Sequence, residues 1–103
     1  MLARVSATTK LLSDAVNAIP DFGFVRNPSQ ERNALLNKVN AVDQMLAVGA
    51  TQGAEEKLKH DFRPTIDRWL VGDYTRTNPL QLEKNEVLAL IDAMIDRVAN
   101  FGK

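Results

Sequence analysis

The sequence predicts an all-α fold, a four-helix up-down bundle whose third helix is kinked or broken at Pro64. Three observations carry that expectation. Apolar residues recur at spacings of three and four, no window alternates with period two, and proline, glycine and asparagine divide the chain into four such stretches. The expected helices cover about residues 2–19, 28–48, 52–70 and 79–101 of one domain spanning 1–103.

The first helix rests on Leu2, Val5, Leu12, Val16 and Ile19, one stripe of an amphipathic rod. Pro20 closes it, because the residue before a proline is pushed out of the α region. A loop, "PDFGFVR", leads to "NPSQ" at Asn27. Asn27 is a good N-cap, Pro28 loses nothing at the first helical position, and Gln30 is placed to reach back to the cap. The same pattern returns as "NPLQ" at Asn78, Pro79 and Gln81, and predicts the start of the fourth helix.

The second helix carries Leu35, Val39, Val42 and Leu46, widened by Leu36 and Met45, and Gly49 supplies a left-handed stop. Thr51 is the expected cap of the third helix, with Glu55 and Glu56 early in it, where the helix dipole favours anions. Its stripe is Ala54, Leu58, Phe62, Ile66 and Trp69, and Gly72 is its expected end. Pro64 removes a hydrogen bond and crowds the carbonyl of His60, which predicts the kink. The fourth helix shows Val87, Ile91, Met94, Val98 and Phe101, broadened by Leu88, Leu90 and Ile95, with Gly102 at its end. Beyond their caps the two Asn-Pro-x-Gln segments match only in helical period, so they read as shared capping and not as a duplication.

Composition excludes more than it assigns. The chain has 103 residues, formal net charge zero and no cysteine. Zero net charge removes any global field toward nucleic acid, so no nucleic-acid partner is expected. Without cysteine there are no disulfides and no thiolate nucleophiles. The opening residues lack an uninterrupted apolar stretch, so no signal peptide is expected, and no apolar run reaches the roughly 20 residues that span a bilayer. The single histidine, His60, has Lys57 three positions earlier, so a Glu-x-x-His metal motif is absent. His60 is expected to pair with Glu56 on a solvated face. Asp92 and Asp96 share a face of the fourth helix, more often a solvated acidic face than an acid–base pair. No nucleophile–base pair or phosphate-cradling glycine loop is present, so no catalysis, metal or cofactor is expected.

Candidate binding residues remain. Asn33, Asn37, Asn40 and Gln44 project from the second helix opposite its apolar stripe. Such an amide row can hydrogen-bond a polysaccharide or a partner's backbone, while an ordinary polar face is its commoner fate. Lys57, Lys59, Arg63 and Arg68, with Arg76, form a basic cluster suited to acidic groups, although Glu55, Glu56, Asp61 and Asp67 are interleaved. Asp61 is expected to be a half-buried carboxylate between Lys57 and Arg68. Phe22, Phe24, Trp69 and Tyr74 fall in or beside the two long loops, which share one end of an up-down bundle. They either plug that end or present an aromatic platform for a sugar or a partner.

The stretch from Phe24 to Leu70 resembles small helical accessory modules of secreted multidomain bacterial and archaeal proteins, and more distantly the FIMAH modules. The residues that carry the likeness are Asn33, Ala34, Leu35, Asn37, Lys38, Val39, Asn40, Ala41 and Val42, then Gly49, Lys57, Leu58, Asp61, Thr65 and Asp67. The resemblance implies a non-catalytic module of an extracellular or surface protein, contacting carbohydrate or an adjoining domain. The alternative is a cytosolic interaction module, with a homodimer formed through surplus apolar surface on the fourth helix.

Overall fold

The computed structural model describes the backbone of residues 2–101 and the side chains of residues 8–101. Leu2 and Val5 of the first stripe, as side chains, and Gly102 lie outside the described residues. The elements are α1 (Leu2–Asn17), a single 3₁₀ turn (Asp21–Gly23), α2 (Pro28–Ala47), α3 (Thr51–Lys57), a π-helical turn (Leu58–Phe62), α4 (Arg63–Trp69) and α5 (Lys84–Ala99). α3, the π turn and α4 run on as one kinked rod, so the fold is a bundle of four rods. Among the described residues no helix is long and apolar enough to cross a membrane.

The side-chain ties between rods show the up-down order. Thr9 of α1 donates to Asp43 late in α2, while Arg32 early in α2 reaches the Ile19 carbonyl after α1. Lys38 meets Asp61, Arg63 meets Asp92, and Lys84 meets Asp67. From Thr9 to Ile19 the partners on α2 step back from Asp43 to Arg32, and from Lys84 to Asp92 the partners on the third rod step back from Asp67 to Arg63. Only antiparallel neighbours give that order. The short Gly49 turn makes α2 and the third rod antiparallel as well. The loops after α1 and α4 therefore share one end, and the Gly49 turn lies at the other.

The expected stripes form the core. Leu12, Val16 and Ile19, then Leu35, Val39, Val42 and Leu46, then Ala54, Leu58, Phe62 and Ile66, then Val87, Ile91, Met94 and Val98 are buried in one connected cluster. Burying a side chain of this size contributes about 1.5–3 kcal/mol, so the shared interior outweighs any capping effect.

The structure departs from the expectations where tertiary bonds compete with local ones. α5 begins at Lys84 and not at Pro79. The Asn78 cap does form, since the Leu80 amide donates to its Oδ1 at 2.8 Å. Gln81 reaches back as well, but its Oε1 accepts from the Thr77 amide at 2.9 Å and not from the amide of the cap. The turn then stops, because the Leu82 amide donates to the Ala18 carbonyl at 2.9 Å and the Leu82 carbonyl accepts from the Tyr74 hydroxyl at 2.5 Å. α5 restarts at Glu83, whose amide donates to the Glu86 carboxylate at 3.0 Å. That is the reach-back of a capping box.

At the start of α2, Asn27 caps as expected, accepting from the Gln30 amide at 3.2 Å. The reach-back comes from Glu31, whose Oε1 accepts from the Arg26 amide at 3.0 Å, and not from the Gln30 side chain. Gly49 has φ of 81° and makes the left-handed stop. The following residue, Ala50, occupies the cap position without a capping side chain, so Thr51 is the first residue inside α3 and not its cap. Gly72 is not the stop of the third rod. The rod ends at Trp69 because Leu70 turns extended and bridges antiparallel to Phe24. The Val25 amide donates to the Trp69 carbonyl and the Val71 amide to the Gly23 carbonyl, both at 2.8 Å.

Pro64 is accommodated without a break. The π turn just before it widens the hydrogen-bond ladder where proline cannot donate, and the Thr65 hydroxyl donates to the Asp61 carbonyl at 2.7 Å.

Candidate functional site

The Phe24–Leu70 bridge fixes the geometry of the loop end. It sets the segment after α1 against the end of α4, and so places Arg26 beside Trp69 although 43 positions separate them in the chain. Two shallow grooves flank the half-buried Trp69. One, of about 290 Å³, is lined by Arg26, Asn27, Gln30, Glu31, Ala34 and Trp69. The other, of about 250 Å³, is lined by Val25, Arg26, Glu31, Arg68 and Trp69. Glu31 is only 8% exposed and is fixed by its bond from the Arg26 amide, so its carboxylate is a rigid acceptor in the groove wall.

A third, wider hollow of about 650 Å³ lies on the α1 side of the same end, between Ile19–Phe22 and Asn78–Gln81. Arg32 forms part of it. Its guanidinium donates to the Ile19 carbonyl at 2.6 Å and to Asp21 at 2.9 Å, and lies 5.1 Å from the Phe24 ring centroid. These bonds make Arg32 a strut of the loop end, a cation held over an aromatic face.

The aromatic residues divide between two roles. Phe24 is buried, and Tyr74 is half-buried with its hydroxyl donating to Leu82, so both plug the bundle. Burial, and then the carboxylates of Glu83 and Glu86, push the Tyr74 hydroxyl up to about 12. Gly23 lets the Tyr74 ring in, because a Cβ there would stand 3.1 Å from ring carbons. Phe22 is exposed and meets Tyr74 edge-on, with ring centroids 6.0 Å apart.

Of the expected basic cluster, most members are consumed. Lys57 donates to Asp61 at 2.8 Å, Lys59 lies 3.1 Å from Glu55, and Arg63 grips Asp92 through Nε at 2.6 Å. Arg76 is held by Glu86 and Glu83. Asp61 is paired with Lys38 and Lys57, and not with Arg68 as expected. The hydrogen bond from Lys38, then that from Lys57, holds its carboxyl below the usual carboxylate range despite partial burial. His60 Nε2 lies 3.1 Å from Glu56 on the solvent face. Of the two aspartates on one face of α5, Asp92 is bound by Arg63. Among the described residues no group of three or more His, Cys, Asp or Glu is placed to hold a metal.

Asn33, Asn37, Asn40 and Gln44 all stand exposed along the outer face of α2. The structure therefore brings Arg68 and Trp69 together, leaves the amide row on a separate face, and spends Lys57, Arg63 and Tyr74 on internal bonds. Arg26, Gln30 and Glu31 are the groove residues that sequence reasoning missed. The Phe24–Leu70 bridge, with the Val25–Trp69 and Val71–Gly23 hydrogen bonds, brings them to the site, and nothing in their spacing encodes it. No family model matches the chain, and neither does any curated protein or solved structure.

Proposed function

We propose that this chain is a non-catalytic binding module that holds a neighbouring polypeptide against its loop end. The observation that supports this reading is where the exposed apolar side chains lie. Among the described side chains six large apolar ones stand exposed, and four of them, Leu80 (86%), Val25 (55%), Phe22 (49%) and Val71 (39%), are on the loops that close one end. Of the other two, Val48 (80%) lies beside the Gly49 turn and Leu11 (40%) on α1. Clustered exposed apolar groups rimmed by polar ones mark contact surfaces in soluble domains. α5 offers less than its sequence suggested. Met94 and Ile95 are buried, and Leu88 and Leu90 pack against the core, so little of that face is left for a second copy.

The likeness to accessory modules of larger extracellular proteins also suits a binding role without catalysis.

A second reading, a carbohydrate contact, is favoured by the Trp69 ring between two polar-walled grooves. One pair of experiments separates the two. Random peptides displayed on phage are selected on the immobilised chain, and neutral and acidic oligosaccharides are titrated by calorimetry. Enrichment of peptides whose binding is lost in Val25→Asp and Leu80→Asp is the expected result. Saccharide binding without peptide enrichment would replace the polypeptide reading with the second one, and neither signal would remove both.

A further inference from the structure

The pairing of charges singles out one place on this neutral surface. Among residues with described side chains, every lysine and arginine except Arg26, Arg68 and Arg97 has a carboxylate oxygen at 3.9 Å or closer. Arg97 stands in the last turn of α5, away from the loop end. Arg26 and Arg68 line the same groove together with Val25, Glu31 and Trp69. Both are exposed, and the one bond from the Arg68 guanidinium, to the Thr65 hydroxyl, is long at 3.5 Å.

Two arginines line this small groove beside a single acidic residue, Glu31, whose carboxylate already accepts from the Arg26 amide. The groove is therefore net positive in a chain whose other cations are almost all answered internally. Guanidinium presents paired donors that match a carboxylate in plane, and charge-assisted bonds of this kind are about twice as strong as neutral ones. The neighbouring surface is aliphatic, with Val25 in the groove and Val71 across the bridge. An acidic side chain flanked by aliphatic ones has both complements, whereas a sugar acid has only the first.

We infer that the groove between Arg26 and Arg68 takes a glutamate or aspartate of an acidic, aliphatic-flanked segment of the partner polypeptide. The inference rests on reading the loop end as a polypeptide-binding surface. Each guanidinium receives a carboxylate oxygen, the flanking aliphatic groups cover Val25 and the Trp69 edge, and Glu31 accepts from a backbone amide of the segment.

Trp69 is the only tryptophan in the chain, so its emission reports on this groove directly. A synthetic dodecapeptide of Leu-Glu pairs is titrated against the chain at low and high salt, beside the same peptide with every Glu replaced by Gln. The expected result is a shift of Trp69 emission, with affinity about tenfold or more in favour of the acidic peptide and a preference that shrinks with salt. Arg26→Gln and Arg68→Gln together abolish the preference while circular dichroism stays unchanged. Equal affinity for the two peptides, or a preference that survives in the double variant, overturns the inference and leaves the polypeptide reading standing. Polygalacturonate that binds with the same arginine dependence, where neither peptide binds, overturns both. Display selection that enriches nothing removes the polypeptide reading itself.

Discussion

Asp61 sits between two lysines, Lys38 on the facing helix and Lys57 one turn back, each at 2.8 Å. Its carboxyl titrates below its ordinary value in the folded chain, first because Lys38 and Lys57 donate hydrogen bonds to it. A carboxyl with a depressed folded pKa stabilises above its unfolded pKa and loses that contribution as pH falls through the folded one. Asp61→Asn should therefore cost about 1 kcal/mol at neutral pH, the sum expected of two partly exposed pairs. It should also flatten the loss of stability below about pH 4, read from urea midpoints. Tyr74 works in the opposite direction. Its hydroxyl is pushed up to about 12, so the stability it contributes is whole below pH 10 and fades as pH climbs toward that value. Absorbance titration of the chain's single tyrosine checks the shift. Tyr74→Phe should remove the alkaline decline and cost about 1 kcal/mol through the bond to the Leu82 carbonyl.

Among elements, the two Asn-Pro-x-Gln segments make a matched pair with unequal stakes. Asn27 caps a helix of 20 residues whose stripe is fully buried, whereas Asn78 caps one exposed turn. Asn27→Ala should lower stability by about 1 kcal/mol and Asn78→Ala by only a few tenths, a difference that thermal denaturation resolves. The same pair shows what the sequence makes legible. Spacing names the buried face of every rod, from Leu12 to Val98, because periodicity and burial follow from one helical geometry. The capping residues also form the local bonds their chemistry requires. How far the helix continues is another matter. The bond from the Leu82 amide to the Ala18 carbonyl joins residues 64 apart, and no local preference reports it. The candidate site was legible to the same extent. Arg68 and Trp69 could be picked from the chain, but Arg26 and Glu31 join them only through the Phe24–Leu70 bridge. Lys57 reached Asp61 as its i to i+4 spacing predicts, but Lys38 took the place assigned to Arg68, because packing between α2 and the π turn brings it there.

At the scale of the molecule, the interior and the loop end answer different demands. Leu35 is fully buried at the centre of the cluster, and replacing it by alanine leaves a void that neighbouring rods fill only in part. Leu35→Ala should cost about 2–5 kcal/mol, a large share of what a chain of this size has to lose. Leu80 is as apolar as Leu35 yet stands 86% exposed on a capped turn, so its side chain gives up almost no water on folding. Leu80→Asp should shift stability by no more than about 0.5 kcal/mol, the usual range for a surface position. A residue under selection for folding alone has no need of an exposed leucine there, because a polar one satisfies the turn equally well. Comparing Leu35→Ala with Leu80→Asp in parallel denaturation and peptide-binding assays therefore separates the two demands. The first should unfold early and retain affinity below its transition, and the second should keep its midpoint and lose affinity. A Leu80→Asp chain that unfolds early would mean that Leu80 serves the fold, and the loop end would lose its most exposed contact.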